Sequence, residues 1–326
     1  MSGDAPPVIE PVGESKRPRW SVMIPTFNCA HQVSETLASV LDQAPQADEM
    51  EIVIVDDASG DDIEGVAARF GDRLRLHRQP LNLGVPANLT EALRLSRGHI
   101  VHLLHGDDLV LPGFYRAMEQ AFADPEIGAA YCRQIFIDQQ GTRTGLSPLE
   151  QSEAGRLPDA MRFLASEQRI MTPSICVRRA AYERLGGFHP ALRCAEDWEM
   201  WVRIARDYPI AYIPEPLAAY RMQQASNTGR NMRSARDVFF NGLAIDLIRS
   251  HLPPDIADRT AAAARRTYAG SALVTARDFA RKGDIGGALT QWRAAVQLDS
   301  SAPTLLSAAR SLTRIGYGAL RRIFAA

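Results

Sequence analysis

The chain has 326 residues, 46% of them hydrophobic and 23% charged, enough to bury one large core or a core with a smaller appendage. A formal net charge of -1 gives no electrostatic reason to expect a nucleic-acid partner. Four separated cysteines (Cys29, Cys132, Cys176 and Cys194) form no C-x-x-C pair, which argues against a zinc site or disulfide framework and for a reducing, cytoplasmic setting. No apolar run reaches the length that spans a bilayer. The charge is unevenly spread: from Asn231 onward there are 14 Lys and Arg against 7 Asp and Glu, so a basic tail follows an acidic body.

Residues 1–18 carry Pro6, Pro7, Pro11 and Pro18 without an apolar signal-peptide core, and read as a disordered leader. Trp20-Ser21-Val22-Met23-Ile24 reads as a first strand stopped by Pro25, followed by a helical pattern over residues 31–43. Residues 51–55 read as a second, more fully buried strand that ends in the acidic turn Asp56-Asp57-Ala58-Ser59-Gly60-Asp61. A weaker third strand is expected over 74–77, a helix over 85–95, and a fourth strand over 100–104 running into His105-Gly106-Asp107-Asp108. Strands alternating with helices imply an α/β fold with a mostly parallel sheet and helices on both faces. Ligands of such sheets bind outside the carboxyl ends of the strands. The three polar clusters at residues 25–28, 56–61 and 105–108 occupy those ends and should meet in one cleft.

The second half is mixed. Strands are expected over 129–137, 174–178 and 217–222, with helices over 158–165, 180–185 and 196–208. The last of these carries Trp198, Trp201, Val202 and Ala205 at helical spacing. Beyond about residue 227 the chain turns alanine-rich and helical, over 237–250, 257–282, 287–298 and 302–324. These shifts divide it into the leader, a domain over residues 19–227 (a nucleotide-binding half, 19–127, and an acceptor half, 128–227), and a helical extension over 228–326.

Two acidic clusters suit chemistry. Asp107 and Asp108 lie at a strand end beside Gly106, where carboxylates could hold a divalent cation against a diphosphate; alone, they fit a solvated turn as well. Glu196-Asp197 opens a helix, where carboxylates cap the helix or serve as a general base. His99, His102 and His105 fall on a strand that sends His102 to the opposite face, so they make no three-histidine site. The N-x-T triplet at Asn88 sits at a buried helix start, and no G-x-G-x-x-G supports a nicotinamide cofactor.

The ordered set Val22-Met23-Ile24-Pro25-Thr26-Phe27-Asn28, Ile52-Val53-Ile54-Val55-Asp56-Asp57-Ala58-Ser59-Gly60-Asp61, Asn82-Leu83-Gly84-Val85-Pro86-Ala87-Asn88 and Leu103-Leu104-His105-Gly106-Asp107-Asp108 resembles the family-2 inverting glycosyltransferases, whose fold is called GT-A. The resemblance is tight over residues 22–108, looser to about 227, and does not cover the helical tail. It implies that Pro25, Thr26 and Phe27 line a base and ribose pocket and that Asp57 accepts a hydrogen bond from the nucleobase, most often uracil. It places Asn28, Asp56, Asn88, His105 and Gly106 around the donor. Asp107 takes the position of the metal-ligating acid of the D-x-D motif, for Mn2+ or Mg2+. His105 replaces the first acid of that motif, and neutral histidine can ligate manganese but brings no negative charge.

Cys194-Ala195-Glu196-Asp197-Trp198-Glu199-Met200-Trp201 resembles the family's segment carrying the catalytic base. Asp197 takes that role, and Glu196 that of an acceptor-orienting group. In Tyr220-Arg221-Met222-Gln223, Gln223 stands where relatives often carry histidine, and Arg221 or Arg230 is left to neutralise the diphosphate.

The expected activity is transfer of one sugar from a nucleotide-diphosphate sugar, a UDP-sugar foremost, to a glycan, lipid-linked glycan or small-molecule hydroxyl in cell-surface polysaccharide assembly. The Q-x-x-R-W motif and membrane helices of processive relatives are absent from the sequence. A sugar nucleotidyltransferase would need a Gly-rich basic loop in place of Pro25-Thr26-Phe27-Asn28; the remaining rival is a non-catalytic sugar-binding or scaffold protein. The tail places Arg310, Arg314, Arg321 and Arg322 among Leu305, Leu306, Leu312, Ile315, Leu320, Ile323 and Phe324. This cationic amphipathic pattern fits packing on the catalytic domain, a homodimer, or peripheral contact with an anionic membrane.

Overall fold

In a computed structural model, residues 5–13, 16–222 and 231–323 are described, with residues 314–323 by backbone alone. Two compact units result: Met1–Ala160 with Arg169–Met222, and Met161–Gln168 with Gln223–Ala326.

The first unit is built on one ten-stranded sheet. In chain order the elements up to Arg221 are β1 (Trp20–Thr26), α1 (Ala30–Leu41), β2 (Met50–Asp56), α2 (Ile63–Ala68), β3 (Arg75–Arg78), α3 (Val85–Leu95), β4 (Ile100–Leu103), β5 (Leu109–Val110), α4 (Phe114–Ala121), β6 (Ala129–Ile137), β7 (Arg143–Leu146), β8 (Gly155–Arg156), α5 (Ala160–Ser166), β9 (Ile175–Arg178), α6 (Arg179–Leu185), α7 (Glu196–Asp207) and β10 (Ile210–Arg221); all belong to the first unit except α5, which after Ala160 belongs to the second. The strand order is β3-β2-β1-β4-β9-β6-β10-β5, with β7 on β6 and β8 on β10. Strands β1 to β4 pair in parallel, and β9 runs antiparallel to β4 and β6.

Period-two alternation sends Val22, Ile24, Ile52 and Ile54 to one face, where they share a core with Val33, Leu37 and Val40 of α1, Val66 of α2 and Phe114 and Met118 of α4. Met23, Val53 and Val55 point the other way, toward the side from which buried Leu89, Ala92 and Leu93 of α3 approach β1 and β2. Helices on both faces of a mixed, mostly parallel sheet are what the alternating pattern implies.

Three sequence expectations change. Strand β1 continues through Pro25, because Pro25 O accepts from Gly106 N (3.0 Å) beyond the end of β4; the missing proline N–H faces a side where β4 has already stopped. Strand β10 begins at Ile210, not 217: Pro214 and Pro216 hide its first half, and its register against β6 shifts at Pro216. The supposed leader is packed where it is described. Ile9 is fully buried, Gly187 N donates to Pro7 O (2.7 Å), Arg179 Nη2 to Glu10 O (3.0 Å), and Arg17 to the carbonyls of Arg97 and Gly98. A proline-rich segment held extended offers its carbonyls as acceptors, and neighbouring donors take them.

The second unit is helical: α8 (Arg236–His251), α9 (Pro254–Lys282), α10 (Ile285–Leu298) and α11 (Ala302–Ile323). Its core is lined by alanines, Ala269, Ala272, Ala295 and Ala308 with Leu273. Among the described residues no helix is long and apolar enough to cross a membrane.

Candidate active site at the carboxyl edge of the sheet

The ends of β1 and β2 are laced together by Asp56. Its fully buried carboxylate accepts from Thr26 Oγ1 (3.1 Å), from Ser59 N (3.0 Å) and from Ser59 Oγ, and pairs with Arg78 Nε at 3.5 Å. Ser59 Oγ in turn accepts from Asn28 N (2.8 Å), and Asn28 Oδ1 accepts from Gly60 N (2.8 Å). Asp61 holds the start of α1 through Ala30 N (2.8 Å). Asp56 therefore ties the ends of β1 and β2 to the turn that follows.

Asp57 is bound the same way to the next segment. Its N–H donates to Thr26 O (2.9 Å), and its two carboxylate oxygens accept from Leu83 N (2.7 Å) and Gly84 N (2.9 Å). Gly84 has φ +83°, the left-handed conformation that lets the turn present both amides to one carboxylate. A carboxylate has about four lone-pair sites, so each oxygen keeps capacity for one more donor. Phe27 and Leu83 are exposed beside it, an apolar rim around an acidic floor. Asn88 is buried; its Nδ2 donates to Val55 O (2.9 Å) and ties α3 to β2, while its Oδ1 has no hydrogen-bond partner.

Gly106 carries the turn after β4 against β1. A Cβ there would stand 2.6 Å from Thr26 Cγ2 and 2.9 Å from Cys29 Sγ and Val33 Cγ2. The following carboxylates sit in different settings. Asp108 is buried; Oδ1 accepts from Arg221 N (2.8 Å), while Oδ2 has no hydrogen-bond partner and stands 3.8 Å from His105 Nδ1. Burial pushes the Asp108 carboxyl well above the usual range, reinforced by Asp107 and opposed by Arg221. Burial pulls the His105 imidazole down, opposed by Asp107. Burial, with Asp107 adding, also holds the neighbouring Cys29 thiol protonated, at about 12.

Arg221, expected to neutralise a diphosphate, has another place. Its side chain is only 2% exposed, and four of its five N–H donors are committed. Nε donates to Asp107 O (2.8 Å), Nη1 to Asp138 O and Gln139 O (3.2 Å each), and Nη2 to Glu35 Oε2 (2.7 Å). It fixes the aspartate turn from behind. Gln223 and Arg230 lie outside the described residues.

The acidic pair at the start of α7 reaches this edge through the turn before β9. Because β9 runs antiparallel to β4 with Cys176 opposite His102, Thr172-Pro173-Ser174 lies beside the carboxyl end of β4, and Pro173 O is 3.0 Å from His102 Nε2. Thr172 Oγ1 donates to Asp197 Oδ2 (3.3 Å), and Asp197 Oδ1 accepts from Trp198 N (2.8 Å). Glu196 is buried with Oε2 unpartnered, and burial beside Asp197 raises its carboxyl to about 8. His102, stacked on Phe114 and shifted down to about 4 by burial, is a neutral core residue.

Three of the five described non-glycine residues with positive φ are Asn28, Ala58 and Ala195, one in each of three polar segments. Backbone strain of this kind persists where surroundings over-determine it, and it clusters at functional sites. Ser59, Arg78, Glu35 and Thr172 were not legible as site residues; only the place of Arg78 at a strand end and of Ser59 in an acidic turn offered a signal.

A divalent cation fits this edge in a limited way. Among the described residues no three His, Cys, Asp or Glu side chains are grouped to hold one. Two buried polar atoms beside Asp107, His105 Nε2 and Asp108 Oδ2, lack hydrogen-bond partners, so the donor set is Asp107 with one neighbour. Small hard cations bind through one or two carboxylates and take their other ligands from water and substrate phosphates.

Residues 21–186 match the family described as Glycosyl transferase family 2. An uncharacterized protein of Mycobacterium tuberculosis is 33% identical over 252 residues, 73% of this chain and 77% of that one. An uncharacterized glycosyltransferase of Methanocaldococcus jannaschii is 24% identical, covering 66% and 75%. Among solved structures, a mannosyltransferase from Pyrobaculum calidifontis in complex with GDP-Man and Mn2+ superposes with a TM-score of 0.58 at 20% identity, covering all of this chain and 91% of that one. S. aureus TarS 1–349 in complex with UDP-GlcNAc gives 0.57 at 14% identity, covering 86% and 91%.

Proposed function

This chain belongs to glycosyl transferase family 2 and has the GT-A fold, and from that premise we propose an inverting transfer of one sugar from a uridine diphosphate sugar to an acceptor hydroxyl. The observation that carries this reading is the hydrogen-bonded continuity at one sheet edge. It runs from the Asp57 floor through Thr26 and Gly106 to Asp107, while the turn beside β4 brings in Thr172 and Asp197.

Asp57, with its remaining lone pairs, accepts the ring N–H of the base between Phe27 and Leu83, above the floor of Pro25 and Thr26. Asp107, with His105 as second ligand, would hold a Mn2+ or Mg2+ ion, which would supply positive charge against the departing diphosphate. Asp197, fixed by Thr172 Oγ1 and Trp198 N, removes the acceptor proton as the hydroxyl oxygen bonds to the anomeric carbon. The bond from that carbon to the diphosphate breaks on the opposite face, its electron pair leaving with the phosphate oxygen. Glu196, protonated, donates to the acceptor and orients it. Burial and the neighbouring charge of Asp197 favour the protonated form of Glu196, which suits it to that donation. The acceptor is a glycan, lipid-linked glycan or small molecule of cell-surface polysaccharide assembly, and one sugar is added per encounter.

A non-catalytic nucleotide-sugar-binding protein is the second reading, favoured by His105 where relatives carry an acid. UDP release from UDP-sugars with Mn2+ separates them: release supports transfer, and UDP binding without release supports the scaffold. A chain that neither binds nor releases UDP would overturn both.

A further inference from the structure

Helix α11 is turned the unexpected way round. Its inward face consists of Thr304, Ala308 and Ser311, at i, i+4 and i+7, all buried. Ala308 joins the core of Ala269, Ala272 and Ala295, and its carbonyl accepts from Trp292 Nε1 (2.8 Å). Small inward side chains suit close approach to an alanine-lined surface. The large apolar residues face outward: Leu305 is 44% exposed, Leu306 62% and Leu312 42%. Leu305 and Leu312 lie two turns apart on one stripe, with Leu306 one step around and exposed Arg310 among them. A lone exposed leucine needs no explanation, but three on the outward side of one helix do.

Charge decides what could cover that stripe. After Asp299 the sequence holds Arg310, Arg314, Arg321 and Arg322 and no acidic residue. A second copy of the same helix would bring like charge to like charge. An anionic lipid surface offers both an apolar interior for the leucines and negative headgroups for the arginines.

We propose that α11 is an interfacial helix that docks this chain on anionic membrane, through Leu305, Leu306 and Leu312 with Arg310. The proposal is independent of the sugar-transfer reading, because it concerns a different unit and is read by binding alone.

The test is co-sedimentation of the full chain with vesicles of phosphatidylcholine alone and of phosphatidylcholine with phosphatidylglycerol, at low and high salt. Binding should occur only with the anionic vesicles and weaken as salt rises. The triple variant Leu305→Ser, Leu306→Ser, Leu312→Ser should lose on the order of a hundredfold in vesicle affinity. Arg310→Glu alone should lose about tenfold. Neither change touches a buried side chain, and unchanged circular dichroism and melting temperature check that both variants fold. Equal affinity of the triple variant, or equal binding to neutral vesicles, overturns the proposal. So does a wild-type chain that ignores vesicles but forms a dimer, by sedimentation velocity, that the triple variant abolishes.

Discussion

Arg221 Nε donates to the carbonyl of Asp107 at 2.8 Å, and the neighbouring Asp108 carboxylate accepts from the Arg221 backbone at 2.8 Å. One residue at the end of β10 thus holds both halves of the aspartate turn, while Asp138, Gln139 and Glu35 hold its guanidinium. A planar fork with donors in fixed directions makes this possible, and an ammonium group cannot reproduce it. Arg221→Lys should raise the Mn2+ concentration for half-maximal activity about tenfold and lower turnover ~10–100-fold, as loss of supporting partners does elsewhere. UDP binding measured without metal should change little. A metal titration that superimposes on wild type would show that Asp107 needs no such support.

Asp197→Asn removes the proposed proton acceptor but keeps the shape. Turnover should fall by ~100–10,000-fold with UDP affinity within about twofold of wild type. Thr172→Val tests orientation separately, since it deletes only the 3.3 Å hydrogen bond to Asp197 Oδ2. It should cost a few-fold in turnover and leave the pH profile in place. Full activity in Asp197→Asn would move the base elsewhere.

Local pattern made much of this legible. Helix α3 and strand β6 fall at the expected bounds, 85–95 and 129–137, because an uninterrupted apolar period carries them. The meeting of residues 25–28, 56–61 and 105–108 followed from their place at parallel strand ends. What was hidden depends on distance along the chain. Arg221 and Glu35 are 186 residues apart, and nothing local to Tyr220-Arg221-Met222 distinguishes a buried anchor from a phosphate ligand. Asp56 and Asp57 look alike in sequence and both are buried, yet the first is spent on Thr26 and Ser59 and the second holds Leu83 and Gly84. The outward leucines of α11 were invisible too, because an amphipathic pattern does not say which stripe faces the core.

Glu196 gives a pH signature. Its folded carboxyl titrates near 8 against an ordinary 4.5, because burial and the charge of Asp197 disfavour ionisation. Between those values the folded chain keeps a proton that the unfolded chain has released. The stabilisation is complete below about 4.5 and is lost as pH rises through about 8. Wild-type melting temperature should therefore decline between about pH 5 and about pH 8, and Glu196→Gln should flatten that decline. Parallel melting curves of the two proteins across this range would refute the assignment.

Gly106 offers a test of the turn's packing that does not depend on chemistry. Its φ is not in the left-handed region, so a side chain there meets a problem of space alone, unlike Gly84. The nearest atom is Thr26 Cγ2, 2.6 Å from the added carbon, and Thr26 cannot rotate away without giving up its bond to Asp56. Gly106→Ala should cost ~1–3 kcal/mol, the usual range for overpacking, and weaken UDP binding by pushing the β1 and β4 ends apart. Thr26→Ser removes that methyl while keeping the hydroxyl for Asp56. In the double variant part of the lost melting temperature and UDP affinity should return, although Cys29 Sγ and Val33 Cγ2 still stand 2.9 Å away. Strictly additive effects would mean that the two strand ends are not in contact through Thr26 and Gly106.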